Sequence, residues 1–215
     1  MLRLSLLVAF AVSSCAAAAG TAKLTFTKSF PGSVPAYVCI DIDRSGGVSY
    51  KESAKDQQPV IARLPETDAA ALFTMAQGLD YFKLPIESGL KVANTGKKTF
   101  RYEDENGKAT EATFNYSTNQ TAQQLLDRFE QIAESERAYS ELDRTMRYDK
   151  LGVNDALAAV ESLWIRKQLA VPQQFIPLLT RITTHESFMH LVRDRAARLR
   201  DEFQGASGSA LAEQK

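Results

Sequence analysis

The chain has 215 residues, of which 44% are hydrophobic and 24% are charged, and its 26 basic side chains balance its 26 acidic ones. These values are typical of a folded globular protein and exclude a disordered or fibrous one. Because the formal net charge is zero, no overall positive field draws the chain to nucleic acid, and no nucleic-acid partner is expected. The length is sufficient for one large domain or two smaller ones, each with a hydrophobic core.

The N-terminal segment MLRLSLLVAFAVSSCAAAAGTA differs in composition from the remainder of the chain. One basic residue, Arg3, precedes an apolar run over residues 4–12, and small residues follow. This order is typical of a secretory signal, and the apolar run is too short to span a bilayer. Residues 1–22 are therefore predicted to be a signal peptide, which directs the protein to the periplasm or out of the cell.

Two processing sites fit the end of this segment. The letters Val-Ser-Ser-Cys at residues 12–15 resemble a bacterial lipoprotein signal, in which Cys15 is lipidated and tethers the protein to the membrane. The alanines at residues 17–19 suit an ordinary signal peptidase equally well, and cleavage there gives a soluble product. Both alternatives stay open. In either case Cys39 is the lone cysteine of the folded part, and its apolar neighbours predict a small buried side chain.

The first half of the folded part has mostly the two-residue period of β-strands. A helix is predicted over residues 66–78, where Pro65 precedes apolar residues at helical spacing. A clear hairpin is predicted over residues 98–116, with Asn106 and Gly107 supplying the positive φ angles of its turn. The remaining strands are predicted, in chain order, at residues 24–30, 37–43, 48–52 and 59–64.

After residue 117 the period changes to that of helices. Helices are predicted over residues 120–147, from an N-cap at Asn154, from Pro172, and over residues 187–203. The predicted fold class is α+β, with an N-terminal antiparallel sheet, hairpins and one or two helices, followed by an all-α helical C-terminal region. The predicted parts are a signal peptide (1–22), an α+β domain (23–133), a helical domain (134–204) and a disordered tail (205–215).

Residues 41–52, DIDRSGGVSYKE, match the ligand and glycine positions of an EF-hand calcium loop. Their flanks are β-branched and aromatic, which favours strands over the two helices of an EF-hand. A hairpin around Ser45-Gly46-Gly47 places the apolar side chains of this region on one face and pairs Asp41 with Lys51 across the strands. The hairpin is the preferred interpretation, and calcium binding through residues 41–52 is the alternative.

Four sequence segments occur in this chain in the same order as in a known protein family: PAYVCIDIDRSGGVSYKE, LPETDAAALFTMAQGLDYFKLP, KTFRYEDENGKATEATFNY and AQQLLDRFEQI. In this pattern, residues 30–133 resemble a bacterial exported α+β domain family of unknown function, and the whole chain resembles uncharacterised secreted proteins of soil bacteria. The resemblance implies export and an α+β fold, and no particular activity. Many members carry a cysteine pair just ahead of the Pro-x-Tyr strand. This chain has Phe30, Ser33 and Val34 there, so a redox or metal role of that pair does not transfer.

The sequence lacks the patterns of common active sites. It contains no nucleophile elbow, no phosphate-binding glycine loop and no dinucleotide fingerprint. His185 and His190 are five residues apart, so on a helix they do not share a face as a zinc-binding pair would. They are predicted to lie at the surface or at helix ends. Glu134 and Glu136 are predicted to point to different sides of a helix. No catalytic, cofactor-binding or metal-binding residue is therefore assigned, and no cofactor is expected.

These observations favour an exported, non-enzymatic binding or envelope-associated protein. Its partner is a protein or a cell-envelope component of unspecified chemistry, and contact with the membrane is expected only through a lipid on Cys15. Two alternatives stay open. One is an enzyme or enzyme inhibitor whose site is assembled from residues distant in sequence, and the other is a calcium-binding protein that uses residues 41–52.

Overall fold

The computed structural model describes residues 20–212. Most of the predicted signal peptide, including Cys15, and residues 213–215 lie outside the described residues. The described part begins with an antiparallel sheet and continues as mainly helical structure. The predicted α+β fold class is therefore confirmed.

The sheet in the described part of the chain has six strands, each antiparallel to its neighbours. They are β1 (Lys23–Ser29), β2 (Tyr37–Asp43), β3 (Gly47–Lys51), β4 (Val60–Arg63), β5 (Lys97–Glu103) and β6 (Ala109–Phe114). Their order in the sheet is β4-β3-β2-β1-β5-β6. The sheet thus consists of a four-strand meander with the β5–β6 hairpin added beside β1.

One face of the sheet is buried, and the opposite face is open to solvent. Phe26, Ile40, Tyr50 and Phe100 lie side by side on the buried face, and each is almost inaccessible to solvent. Polar side chains alternate with them along each strand and occupy the open face. This alternation produces the two-residue period from which the strands were predicted.

Cys39 lies on the open face of the sheet, between Val38 and Ile40 in strand β2. Its side chain is partly exposed, whereas Val38 and Ile40 are buried. The prediction that Cys39 is buried is wrong, because successive residues of a strand point to opposite faces. Partial burial raises the pKa of the Cys39 thiol, and the nearby carboxylate of Asp41 raises it further, so this thiol is not activated as a nucleophile.

The β2–β3 hairpin confirms that residues 41–52 form strands rather than a loop between two helices. Its register nevertheless differs by two residues from the predicted one, because Asp41 pairs with Ser49 and Lys51 pairs with Cys39. The predicted Asp41–Lys51 pair is therefore wrong. Since the shift is an even number of residues, every side chain keeps its face, and the apolar face was predicted correctly.

An aspartate closes the turn in each of the two tight hairpins. Asp43 Oδ1 accepts hydrogen bonds from the backbone N–H groups two and four residues later, at 2.8 and 3.0 Å, and from the Ser45 hydroxyl at 2.6 Å. Asp104 Oδ1 accepts the equivalent two backbone bonds at 2.9 Å each. Of the predicted pair Asn106-Gly107, only Gly107 has a positive φ angle. The resemblance of the residues around Asp43 to a calcium-binding loop is therefore explained by their hydrogen bonds in the turn.

Helices cover the buried face of the sheet and build the C-terminal half. They are α1 (Glu66–Gly78), α2 (Gln120–Tyr148), α3 (Val153–Ile165), α4 (Ile176–Thr184) and α5 (His190–Ala212), with short 3₁₀ turns at Asp80–Phe82 and Pro172–Phe175. Helix α2 begins after Asn119, whose side chain accepts a hydrogen bond from the Ala122 N–H at 3.1 Å. Helices α1 and α2 have the bounds predicted from their apolar spacing, within one residue.

Helix α2 contributes to both hydrophobic cores of the described residues. Phe129, in its first half, packs against Phe26 and Phe100 of the sheet, with ring centroids 5.0 and 5.8 Å apart. Leu142, in its second half, belongs to a core shared with α3, α4 and α5. The predicted boundary between residues 133 and 134 lies inside this continuous helix, after Ile132, the last α2 residue fully buried in the first core.

The start of α3 differs from the prediction. The helix begins at Val153, so Asn154 lies in its first turn and the predicted N-cap is wrong. The reason is the preceding turn, in which the Asp149 side chain already accepts a hydrogen bond from the Gly152 N–H at 3.1 Å. The Asn154 side chain instead accepts a hydrogen bond from Arg195 Nη1 of α5, at 2.8 Å.

Helix α5 continues to Ala212, through most of the segment 205–215 that its glycine and serine content predicted to be disordered. Several alanines and a leucine are interspersed in this segment. These residues have the highest helix propensities, and they extend a helix that is already nucleated by its packing at Leu199 and Phe203.

Candidate ligand-binding groove

A groove lies where α1, the middle of α2 and the segment 167–170 meet. We call it the α1–α2 groove. Leu64, Leu72 and Ile132 form an apolar floor, and all three are largely shielded from solvent by the surrounding structure. The cavity volume is about 140 Å³, close to that of a protein cavity of about 150 Å³ that holds one benzene molecule. The α1–α2 groove therefore has the size of a single ring or a branched aliphatic group.

Three charged side chains, Asp68, Arg128 and Lys167, lie around the α1–α2 groove. Arg128 Nη1 donates a hydrogen bond to Gln131 Oε1 at 3.2 Å. Within residues 20–212, the side chains of Lys167 and Asp68 make no hydrogen bond or ion pair. Asp68 lies in the first turn of α1, where a carboxylate stabilises the helix. The rim thus presents two cations that are not neutralised by a carboxylate contact.

Lys167 has an unusual backbone conformation at the end of α3. Its φ angle is +56°, and its N–H donates a hydrogen bond to the Trp164 carbonyl at 2.9 Å. The next N–H, of Gln168, donates to the Leu163 carbonyl at 2.9 Å. Helices usually end in this way with glycine, because the left-handed conformation costs a residue with a Cβ atom about 1 kcal/mol. This turn ends α3 and leads the chain into the wall of the α1–α2 groove.

A buried serine fixes that wall to helix α2. Ser135 Oγ accepts a hydrogen bond from the Ala170 N–H at 2.8 Å and donates one to the Gln131 carbonyl, also at 2.8 Å. Ser135 is fully buried, so both bonds are shielded from water and are costly to break. The segment 167–170 is therefore held at a defined position beside α2.

Glu136, the next residue of α2, is a fully buried acid. Its Oε1 accepts a hydrogen bond from Gln174 Nε2 at 2.9 Å. Within the described residues, Glu136 Oε2 and Gln174 Oε1 are buried without a hydrogen-bond partner. Burial raises the pKa of the Glu136 carboxyl to about 7, and the bond from Gln174 lowers it only in part. Protonation of this carboxyl removes the buried charge. It also supplies a hydrogen-bond donor beside two buried oxygens, Glu136 Oε2 and Gln174 Oε1, that have no donor.

Glu134 and Glu136 point to different sides of α2, as predicted, since Glu134 is exposed. The burial of Glu136 was not predicted from the sequence. The signal was its spacing, because Glu136 follows Ile132 by four residues and precedes Tyr139 by three, and so lies in the apolar stripe of α2. None of the residues that line the α1–α2 groove was assigned to a site from the sequence.

The predicted positions of the two histidines are confirmed. His185 follows the last residue of α4 and His190 is the first residue of α5, and both are exposed. His190 Nδ1 lies 2.7 Å from Asp194 Oδ2, one turn along α5. Neither histidine lines the α1–α2 groove.

The two aspartates of the calcium-like segment are held by separate partners. Asp41 accepts a hydrogen bond from the Thr25 hydroxyl at 2.6 Å and lies 3.8 Å from Lys23 Nζ. Asp43 is engaged in its turn, and those hydrogen bonds lower the pKa of its carboxyl against the effect of burial, which raises it. Within residues 20–212, no group of three or more His, Cys, Asp or Glu side chains is arranged to hold a metal ion.

Lys98 is a second buried charged residue, and it joins two segments of the chain. Its Nζ donates hydrogen bonds to the Thr95 hydroxyl and to the Asn115 carbonyl, each at 2.8 Å. Burial lowers the pKa of this amine, and the nearby charge of Lys28 lowers it further. These bonds join the loop before β5 to the end of β6. A structural role therefore explains why Lys98 is buried.

None of the helices within residues 20–212 combines the length and the apolar character needed to cross a bilayer. The chain matches no protein-family model, no curated protein and no solved structure.

Proposed function

We propose that this chain is an exported, non-enzymatic binding protein, and that the α1–α2 groove receives an apolar group of its ligand. The observation that carries this proposal is an apolar floor, formed by Leu64, Leu72 and Ile132, that opens between charged side chains. Ligand sites in proteins commonly combine such a floor with a few polar groups that fix orientation. The hydrogen bonds of Ser135 hold one wall in place, so the groove is formed before a ligand arrives.

The composition of the groove favours binding over catalysis. Its lining contains one carboxylate, Asp68, and no histidine, cysteine, serine or tyrosine. Acid–base and nucleophilic catalysis need a second group placed beside the first. Glu136, whose pKa is raised to about 7 by burial, does not line the groove. The groove is lined mainly by α1, α2 and residues 167–170, so the acids and tyrosines of the hairpins do not contribute to it.

The exported location in this proposal is supported by the pattern of residues 1–22, with Arg3, an apolar run and small residues. The two processing alternatives differ in the mass of the mature chain. A lipid on Cys15 gives an N-terminal fragment heavier than its sequence, whereas cleavage after the alanines gives a free N-terminus beyond residue 19. Intact-mass measurement of the mature protein distinguishes them.

Filling the groove should weaken ligand binding without unfolding the protein. Ala71 is exposed on α1 and lines the groove, whereas its neighbour Ala70 is exposed and does not. We expect Ala71→Trp to weaken binding of toluene at least about tenfold, or roughly 1.4 kcal/mol, because the indole occupies the cavity. Ala70→Trp is the matched control and should bind toluene as the wild type does. Saturation-transfer NMR with toluene measures both.

Equal toluene signals in the Ala71→Trp and Ala70→Trp variants would contradict the proposal, since toluene would then bind elsewhere. Absence of a toluene signal in the wild-type protein would contradict it as well. The helical circular-dichroism signal of each variant shows that loss of binding does not reflect loss of fold.

A further inference from the structure

We infer that the ligand of the α1–α2 groove is a small monocarboxylate whose apolar body is about the size of one ring. This inference rests on the proposed function and adds the chemical class of the ligand. The body follows from the cavity volume of about 140 Å³ and from the apolar floor. The part of the ligand that the groove encloses is therefore about one ring in size.

The carboxylate follows from the charges at the rim. Arg128 uses one N–H group on Gln131, and its guanidinium retains further donors for a carboxylate, which it recognises with two parallel bonds. Lys167 has no side-chain partner within residues 20–212. A ring on the floor therefore has two cationic residues, Arg128 and Lys167, in the same lining to receive its carboxylate. Asp68, on the same rim, disfavours a second negative charge, and so a monoanion fits better than a dianion.

The backbone of Lys167 gives independent support. The left-handed conformation at this position favours glycine, and a lysine is found there with φ +56°. Where a glycine would carry only a hydrogen atom, Lys167 carries a side chain that adds an ammonium group to the rim of the groove. Such backbone conformations occur at many binding sites, and among the described residues they also occur at Asp80, Tyr81 and Phe82, which do not line the groove.

Calorimetric titration of the full mature protein with phenylacetate and with its neutral isostere phenylacetamide tests the inference. Both probes carry one ring, and they differ in the charge of the group that reaches the rim. We expect phenylacetate to bind about tenfold more tightly than phenylacetamide, the difference that one charge-assisted contact contributes.

Charge variants identify the cations. Lys167→Gln and Arg128→Gln should each weaken phenylacetate about tenfold and leave phenylacetamide unchanged, and Asp68→Asn should strengthen phenylacetate severalfold. Arg137→Gln is the matched control, because Arg137 is an exposed arginine of α2 that does not line the groove. Lys167→Gly should bind phenylacetate as weakly as Lys167→Gln and unfold at a temperature no lower than the wild type.

The outcomes separate this inference from the proposed function. The inference of a carboxylate ligand would be overturned if the two probes bound with equal affinity. It would also be overturned if Arg137→Gln and Lys167→Gln lost the same affinity for phenylacetate. In either case the groove would be a neutral apolar site. Failure of both probes and of toluene to bind the wild-type protein would overturn the proposed function itself.

Discussion

Replacement of Glu136 by glutamine is expected to raise the free energy of unfolding by about 3 kcal/mol at pH 8 and to change it little at pH 4. The Glu136 carboxyl has a pKa of about 7 in the folded protein, against 4.5 for an unperturbed glutamate. Between these values the folded state binds more protons than the unfolded state, so stability falls as pH rises through this window. Above pH 7 the folded protein holds a buried negative charge, which glutamine does not carry.

The geometry at Gln174 explains why glutamine should be accepted there. The Gln174 amide donates one hydrogen bond to Glu136 at 2.9 Å, and its own buried Oε1 has no donor within the described residues. A protonated acid or an amide at position 136 can donate to that oxygen, whereas a carboxylate cannot. Both uncharged forms can therefore hydrogen-bond with Gln174 in two directions.

Chemical denaturation at a series of pH values measures this effect. Glu134→Gln is the matched control, because Glu134 is an exposed glutamate of the same helix, and its unfolding free energy should follow that of the wild type at every pH. A stability difference between Glu136→Gln and the wild type that stays constant from pH 4 to pH 8 would show that Glu136 is not the titrating group.

Substitution of Gly46 by alanine is expected to cost about 3 kcal/mol, and the same substitution at Gly107 only about 1 kcal/mol. Both glycines have positive φ angles, +86° and +77°, so both variants incur the cost of a left-handed alanine. A Cβ atom at Gly46 would lie 2.3 Å from the Leu64 carbonyl oxygen, whereas one at Gly107 meets no atom within 4 Å. The additional cost at Gly46 therefore comes from displacement of the backbone at Leu64.

This pair of variants also tests the contact between the β2–β3 turn and the floor of the groove. The Leu64 N–H donates a hydrogen bond to the Gly46 carbonyl at 2.8 Å, and Leu64 lines the α1–α2 groove. Thermal and urea unfolding of Gly46→Ala and Gly107→Ala measure the difference. Equal losses of stability in the two variants would mean that the Gly46 turn does not pack against Leu64 in solution.

The positions of the strands and helices could be predicted because apolar residues repeat with the period of each element. Residues 37–43 alternate strictly, and helix α2 shows its stripe over the whole of its length. The register of the β2–β3 hairpin could not be predicted, because Gly46 and Gly47 both suit the left-handed position of the turn. The hydrogen bonds of the Asp43 side chain decide between them, and they place Gly46 there.

The α1–α2 groove could not be predicted, because its residues are distant in sequence and individually ordinary. Asp68 lies on α1, Arg128 on α2 and Lys167 in the turn after α3, and each is a typical surface residue when seen alone. Only the packing of α1 and α2 on one face of the sheet, followed by the return of the chain after α3, brings them together. Glu136 was detectable in principle as a charged residue within an apolar stripe.

Two residues beside the groove lower the stability of the fold. Glu136 is a buried acid without full hydrogen bonding, and Lys167 occupies a left-handed position. Natural proteins commonly retain such features near functional sites, where activity opposes maximal stability. Lys167 lies in the wall of the groove, and Glu136 follows Ser135, the α2 residue that holds this wall in place.

Amide chemical shifts measured during titration with toluene show whether the α1–α2 groove binds a ring-sized apolar group. We expect the changes to concentrate at residues 68–75, 128–132 and 167–170, the three segments that meet at the groove. Changes confined to the open face of the sheet, or no changes at saturating toluene, would contradict binding in the groove.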